Sequence, residues 1–295
     1  MTTAIEALHS PAPAKINLFL HVGEKRPDGY HALQSLVVFT RLGDELSLSP
    51  ASGLTLDLKG PFAGVLQRET DNLVLKAARA LQAQAGVTQG AAISLCKNLP
   101  VASGIGGGSS DAAAALRGLA RLWGLKMCPG ALRKIGEGLG SDVPVCIACA
   151  PQWMEGRGEI LTELPPLPEL PILLVNPGVG VPTGKVFAAL KVRRGTALPL
   201  PPKLETPAEL VGYLKDTSND LEAPARAVAP VIGEVLDVLA SQDGVLLSRM
   251  SGSGATCFAL FGSDEAALQA ARSIGEQHKS WWTAVTRIAP LNPAQ

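Results

Sequence analysis

The sequence predicts an α+β fold divided into two domains, and three observations carry that prediction. At 295 residues the chain exceeds the usual span of one domain. Apolar residues are patterned as strands over roughly the first sixty positions and as helices soon after. A stretch with four prolines in eight residues, Leu164–Pro171, then interrupts any helix or central strand. The boundary is expected there, with residues 1–163 forming one domain and 172–295 the other.

Taken in order, Ile16–Val22 is a largely apolar run rich in β-formers, Leu36–Phe39 is another, and Leu54–Leu58 alternates apolar with polar residues. Between the first two, Arg26–His31 reads RPDGYH, and Pro-Asp-Gly is turn chemistry. In DNLVLKAARALQAQAG, residues Leu73, Val74, Ala77, Ala78 and Leu81 share one helical face, with Asp71 as the expected N-cap and Gly86 as the stop. Ile93–Lys97 is a short strand that leads into a glycine-rich loop, and a helix of strong propensity is expected from Ser109. Another spans Pro129–Leu139. Beyond the proline stretch come a strand at Ile172–Val175, a helix around Ala225–Ala240, a strand from Ala255, the helix DEAALQAARSIGEQ and a last strand near Trp282–Ile288. That order suits an α+β sandwich.

Composition narrows the function classes. Hydrophobic residues make up 46% and charged residues 18%, which supports sizeable cores. Lys+Arg and Asp+Glu each total 26, so the chain lacks the basic excess that binding nucleic acid mainly through phosphates requires. A pocket for a small anion stays open. Five cysteines fit no secreted framework. Cys146 and Cys149 form a C-x-x-C without the second pair of a zinc ribbon, and their apolar run VPVCIACAP reads as buried thiols. A reducing cytosol is therefore the expected location. The N-terminus has no charged-then-apolar leader, and no stretch approaches the ~20 apolar residues of a membrane span. Neither a membrane association nor an obligate protein partner is expected.

The strongest local signal is LPVASGIGGGSSDAAAAL, residues 99–116. Gly104, Gly106, Gly107 and Gly108 let the backbone approach a ligand closely, and the helix that follows offers unpaired N–H groups. Strand, glycine loop and helix make an anion cradle, with a flexible linker before a helix as the plain alternative. Gly107 is expected to lie against phosphate at a φ that valine avoids. No G-K-[ST] ends the loop, and no acidic residue follows at the Rossmann distance.

These residues resemble the phosphate-binding loop of the GHMP kinases (galactokinase, homoserine kinase, mevalonate kinase and phosphomevalonate kinase). Pro13–His31, Gly140–Ile147 and Met250–Phe261 resemble further motifs of the same family, in the same order along the chain. The similarity is strongest to the branch whose acceptor is 4-diphosphocytidyl-2-C-methyl-D-erythritol. One departure is Ile105, where the family commonly has Leu. The resemblance implies an N-terminal domain like the second domain of ribosomal protein S5, a ferredoxin-like C-terminal domain and an active site in the cleft between them. It implies ATP and a cytidine diphosphate-linked methylerythritol as substrates, with Mg²⁺ as the cofactor.

Roles follow from the resemblance, residue by residue. Asp142 is the expected base for the acceptor hydroxyl and Lys15 its partner; on the residues alone, a helix-capping Asp and a solvated Lys read as well. Asn17 shares the sheet face of Lys15. Tyr30 and Phe187 are expected to stack on the cytosine, His31 to read its polar edge, and Thr183 to lie near the acceptor; a Tyr packed over its own turn is the plain alternative. The ATP side comprises Asn72, Lys97 and the loop residues Pro100, Val101, Ala102, Ser103, Gly104, Ile105, Gly106, Gly107, Gly108, Ser109 and Ser110. The Ser110 hydroxyl is the expected Mg²⁺ ligand. Gly252 and Gly254 allow close backbone approach or simply a tight turn. Two alternatives remain at this point: a kinase of a small alcohol, which would have no use for the aromatic pair, and a non-catalytic nucleotide-binding regulator, which would have no use for Asp142 and Lys15.

Overall fold

A computed structural model describes residues 7–67 and 71–289. The first six residues of the segment read for a leader lie outside that range. Seven strands form the first sheet: β1 (Leu8–Asn17), β2 (His21–Lys25), β3 (His31–Ala51), β4 (Leu54–Lys59), β5 (Gly90–Cys96), β6 (Gln152–Gly156) and β7 (Ile160–Glu163). The order is β4-β5-β3-β6-β7, with β1 and β2 also paired to β3. The second sheet is antiparallel, β11-β8-β10-β9, built from β8 (Pro171–Asn176), β9 (Val245–Met250), β10 (Cys257–Phe261) and β11 (Trp282–Arg287). The helices are α1 (Ala63–Leu66), α2 (Leu73–Ala85), α3 (Gly107–Leu122), α4 (Pro129–Glu137), α5 (Val143–Cys146), α6 (Thr183–Ala188), α7 (Pro207–Lys215), α8 (Glu222–Val228), α9 (Val231–Ala240) and α10 (Asp264–Gln277). No helix among the described residues is long and apolar enough to cross a membrane.

The long strand β3 is the spine of the first sheet, bonding β2, β6, β1 and β5 along its length. Leu36–Phe39 is a small part of it. The run Ile16–Val22 is not one strand, because β1 ends at Asn17 and β2 begins at His21. Between them the chain changes partners: the Leu18 N–H donates to Leu36 O, but the Leu20 N–H donates to Ser218 O in the second half. Both sides of the run are buried, so its apolar pattern carries no mark of the break. The expected helix over Ala225–Ala240 is likewise two helices, α8 and α9, parted at Ala229–Pro230 where proline removes a donor. The α2 N-cap is Asn72, whose Oδ1 accepts from the Val74 N–H at 2.9 Å; Asp71 pairs instead with Lys76 at 2.6 Å.

Helix α3 is buried along most of its length, because alanine and glycine let it lie close against β1, β3 and α2. A Cβ on Gly118 would come within 2.3 Å of Leu48 Cδ1. Every residue of β8 is buried, as expected for a strand covered on both faces. Leu173 and Val175 join the core that also holds Val235 of α9 and Ala270 of α10. Ile172 and Leu174 face the other way, into a core shared with Ile16, Leu36, Val38 and Trp153 of the first sheet. The two sheets are thereby joined through apolar packing.

Arg249 of β9 completes the join. Its guanidinium is buried and donates to Leu18 O, Leu214 O, Thr217 O and Thr217 Oγ1 at 2.6–3.0 Å. Replacing it leaves these acceptors dry and unpaired. Arg249→Met should lower the unfolding free energy by about 2–4 kcal/mol, measured by denaturant titration. A loss within experimental error would show that the loop joining β1 to β2 is held by other contacts.

Candidate active site

A cavity of about 550 Å³ opens between the two halves. The first half contributes Lys15, Asn17, Gly106, Gly107 and Asp142, and the second contributes Thr183, Phe187, Gly252 and Ser253. Its floor is the glycine loop, whose shape is set from both ends. At the entry, Asp44 of β3 accepts from the Asn98 and Leu99 N–H groups at 2.6 and 2.8 Å. The Lys97 ammonium donates to Asp44 Oδ2 and also to Asp111 Oδ2 of α3, the latter at 2.7 Å. This cluster lies under the loop, with Lys97 Nζ 3.1 Å from where a Cβ on Gly107 would stand.

Farther along, the Lys15 N–H of β1 donates to Ile105 O at 2.9 Å, and the Thr256 N–H donates to Ser103 O at 3.0 Å. The first half's glycine loop thus meets the second half's SGSGA turn. Glycine is needed at that meeting. Gly104 has φ +79°, and a Cβ there would lie 2.5 Å from Gly254 O; Gly252 has φ +56°, and its Cβ would lie 2.8 Å from Gly104 O.

Gly106, at φ +65°, caps α3, so the helix starts at Gly107 rather than at Ser109. The Ser110 N–H is the first to find a helical carbonyl, Gly106 O, at 2.8 Å. By helix geometry the N–H groups of Gly107, Gly108 and Ser109 have no intrahelical acceptor, and all three residues line the cavity. They form an anion site at the positive end of a helix. Gly107 itself is helical, so a larger side chain there would crowd Lys97 Nζ, 3.1 Å from its Cβ, rather than meet a forbidden φ.

Lys15 is buried, and its ammonium donates to Asp142 Oδ2 at 2.9 Å and to Asn17 Oδ1 at 3.0 Å. Asn17 is fixed in turn, its Nδ2 donating to Ser35 Oγ at 2.8 Å. Asp142 precedes α5 but makes no cap hydrogen bond, which removes the capping alternative. Its carboxylate is partly exposed to the cavity beside a held ammonium, an arrangement that can take a proton from a bound hydroxyl.

The remaining expected residues divide. Asn72, Val101, Ala102, Ser103 and Ser109 line the cavity; Pro100 and Ile105 do not. Ser110 is fully buried and donates to Pro13 O at 2.7 Å, which turns it away from any metal in the cavity; Ser109 faces it instead. Lys97 lines the cavity, but two carboxylates engage its ammonium. The rings of Phe187 and His31 stack at 5.7 Å, and the His31 Nδ1–H donates to Gly23 O at 3.1 Å. Tyr30 does not share the main cavity. It is exposed under the Arg157 guanidinium and lines an adjoining cavity of about 230 Å³. Thr183 lines the main cavity, its Oγ1 2.9 Å from Ser253 Oγ. Burial pushes the Cys146 and Cys149 thiols up, so both are inert core groups, and no metal-binding cluster of His, Cys, Asp or Glu occurs among the described residues. Asp44, Asp111 and Arg157 escaped the sequence reading.

Known proteins resemble this chain over nearly its whole length. Residues 72–149 match the family described as GHMP kinases N terminal domain, and residues 202–280 match GHMP kinases C terminal. A protein of Hyphomonas neptunium named 4-diphosphocytidyl-2-C-methyl-D-erythritol kinase is 51% identical, over 98% of this chain and 99% of its own. One of the same name from Cereibacter sphaeroides is 53% identical, over 94% and 98%. A crystal structure of 4-(cytidine 5'-diphospho)-2C-methyl-D-erythritol kinase superposes with a TM-score of 0.77 at 31% identity, covering 95% of this chain and 99% of that one. Homoserine kinase from Cytophaga hutchinsonii, at TM-score 0.70 and 18% identity, shares the fold.

The cluster under the loop has a titration signature. Burial pushes the Asp111 carboxyl from 3.8 up to about 8, against the pull of Lys97 and with Asp44 adding to the rise. Between those values the folded protein binds a proton that the unfolded chain has released, so stability falls as pH rises through that window. Asp111→Asn should flatten the fall. Denaturant unfolding from about pH 5 to 8.5 measures it, and equal slopes for the two proteins would contradict a raised carboxyl.

Proposed function

The chain belongs to the GHMP kinase family, in its 4-diphosphocytidyl-2-C-methyl-D-erythritol kinase branch, and we propose that it transfers the γ-phosphoryl group of ATP to the 2-hydroxyl of that alcohol. Its fold is the two-domain GHMP kinase fold, S5-like and then ferredoxin-like. We assign residues 1–163 to the nucleotide-binding domain and 172–295 to the second. The observation that carries the reading is the Lys15–Asp142 pair, 2.9 Å apart, in one cavity with the free N–H groups of α3.

In this reading the cradle of Gly106, Gly107, Gly108 and Ser109 holds the nucleotide's phosphates, and Asn72 lines the nucleoside side. Ser109, which lines the cavity, is the residue we assign to hold Mg²⁺ in place of Ser110, and the ion would offset phosphate charge there. Asp142 accepts the proton of the 2-hydroxyl as that oxygen bonds to the γ-phosphorus and the bond to ADP breaks. Lys15 holds the carboxylate in place and offsets the charge gathering on the oxygens. Because a carbonyl only accepts, His31 carries its hydrogen on Nδ1 toward Gly23 O, which leaves Nε2 free to accept from the amino group of cytosine. Phe187 supplies a ring to one face of the base, and Tyr30 closes on the other when the acceptor fills the site. Buried, free thiols suit a reducing cytoplasm, to which we assign the protein.

An ATPase-coupled assay with this acceptor, homoserine and mevalonate is the direct test. Turnover only with the cytidine-bearing acceptor is expected, and equal use of the small alcohols would overturn the assignment. Asp142→Asn should lower turnover by about a hundredfold or more while leaving ATP affinity intact. Phe187→Ala and Tyr30→Ala should each raise the acceptor KM about tenfold, from the ~1–3 kcal/mol that stacking supplies per base, with the KM for ATP unchanged. Free 2-C-methylerythritol 4-phosphate should be a poor acceptor.

A further inference from the structure

Among the described residues three cations line the main cavity, and two are committed. Lys15 is paired with Asp142, and Lys97 with Asp44 and Asp111. The third is Arg157, in the turn between β6 and β7. Its side chain is 44% exposed, and the nearest carboxylate, Glu159 Oε1, lies 3.9 Å from its Nε. Glu159 is itself shared, accepting from Arg26 Nη1 at 3.3 Å and from the Arg157 backbone N–H. The guanidinium carbon stands 5.3 Å over the Tyr30 ring, a cation–π contact. No side-chain hydrogen bond from this guanidinium occurs among the described residues.

Position gives this loosely paired cation a meaning. Arg157 lines both the main cavity and the smaller one that contains Tyr30, and the two cavities share Ser141, the neighbour of Asp142. It therefore stands between the aromatic end of the site and the reacting end. The acceptor has the same polarity: a cytosine at one end, a reacting hydroxyl at the other and a diphosphate between. Two polyanions must occupy one cavity, and the N-terminus of α3 can serve only the nucleotide. A second positive group is needed for the acceptor's phosphates. A guanidinium suits them, since its fork donates two parallel hydrogen bonds to phosphate oxygens.

We infer that Arg157 binds the diphosphate of the acceptor and so sets the preference for alcohols linked to a nucleoside diphosphate. The inference rests on the proposed function, and its test separates the two. Calorimetry compares cytidine and cytidine diphosphate as ligands of the wild-type chain, R157Q and R157K. The wild type should bind cytidine diphosphate more tightly than cytidine. R157Q should lose about tenfold or more of its affinity for cytidine diphosphate while changing about twofold or less for cytidine and for ATP. R157K, which keeps the charge without the fork, should fall between. An R157Q variant that binds cytidine diphosphate as the wild type does, or that weakens both cytidine ligands equally, would overturn the role of Arg157 and leave the proposed function standing. A wild-type chain that binds neither cytidine ligand would overturn both.

Discussion

The site depends on how Lys15 is held. Its backbone N–H fixes Ile105 of the glycine loop to β1, while its ammonium reaches Asp142 ahead of α5 and Asn17 on its own strand. One residue thus ties the glycine loop to the Asp142 carboxylate. Gly106 follows from the same constraint. A Cβ there would approach Lys15 Cβ and Cε at 3.2 Å, so the cap of α3 must stay bare for the lysine to pass. With Lys15 in place, the N-terminus of α3 and the Asp142 carboxylate hold a fixed separation, the form in which, under the proposed function, electrostatic and orienting effects would cost least at the moment of reaction.

Two further constraints support that arrangement. Beneath the loop, Asp44, Lys97 and Asp111 join β3, the exit of β5 and α3 in a buried ion cluster. Such clusters lose much of their Coulomb energy to desolvation, so the gain is geometric: the residues that enter and leave the glycine loop are held at a set distance. Across the cavity, Gly104 meets Gly252 and Gly254 at separations that exclude any Cβ. The second half therefore forms a wall of the cavity rather than a separate module, and the shared core of Ile172, Leu174, Ile16 and Leu36 keeps that wall in register.

Much of this was legible in the sequence. The glycines make an anion cradle on their chemistry alone, whereas Lys15 and Asp142 stood out only through the family resemblance, and α10 carries its own cap, with Ser263 Oγ accepting from the Ala266 N–H at 3.2 Å. Periodicity failed where burial was two-sided. Ile16–Val22 showed no trace of its change of partner, and β6 through β7 were too short and mixed to stand out. Helix α3 starts at Gly107, two residues before the expected Ser109, and the Ser110 hydroxyl donates to Pro13 O. Asp44 and Arg157 were beyond reach, because each acts on partners distant in the chain.

The central claim is that Lys15 and Asp142 act as one unit, and a double-mutant cycle on single-turnover phosphoryl transfer tests it most directly. Lys15→Met, Asp142→Asn and the combined variant would be compared at saturating ATP and acceptor. If the lysine acts through the carboxylate, the double variant should be scarcely slower than the slower single one, as for catalytic groups that work together. Losses that multiply across the cycle would mean that the two residues act independently, and would contradict the account.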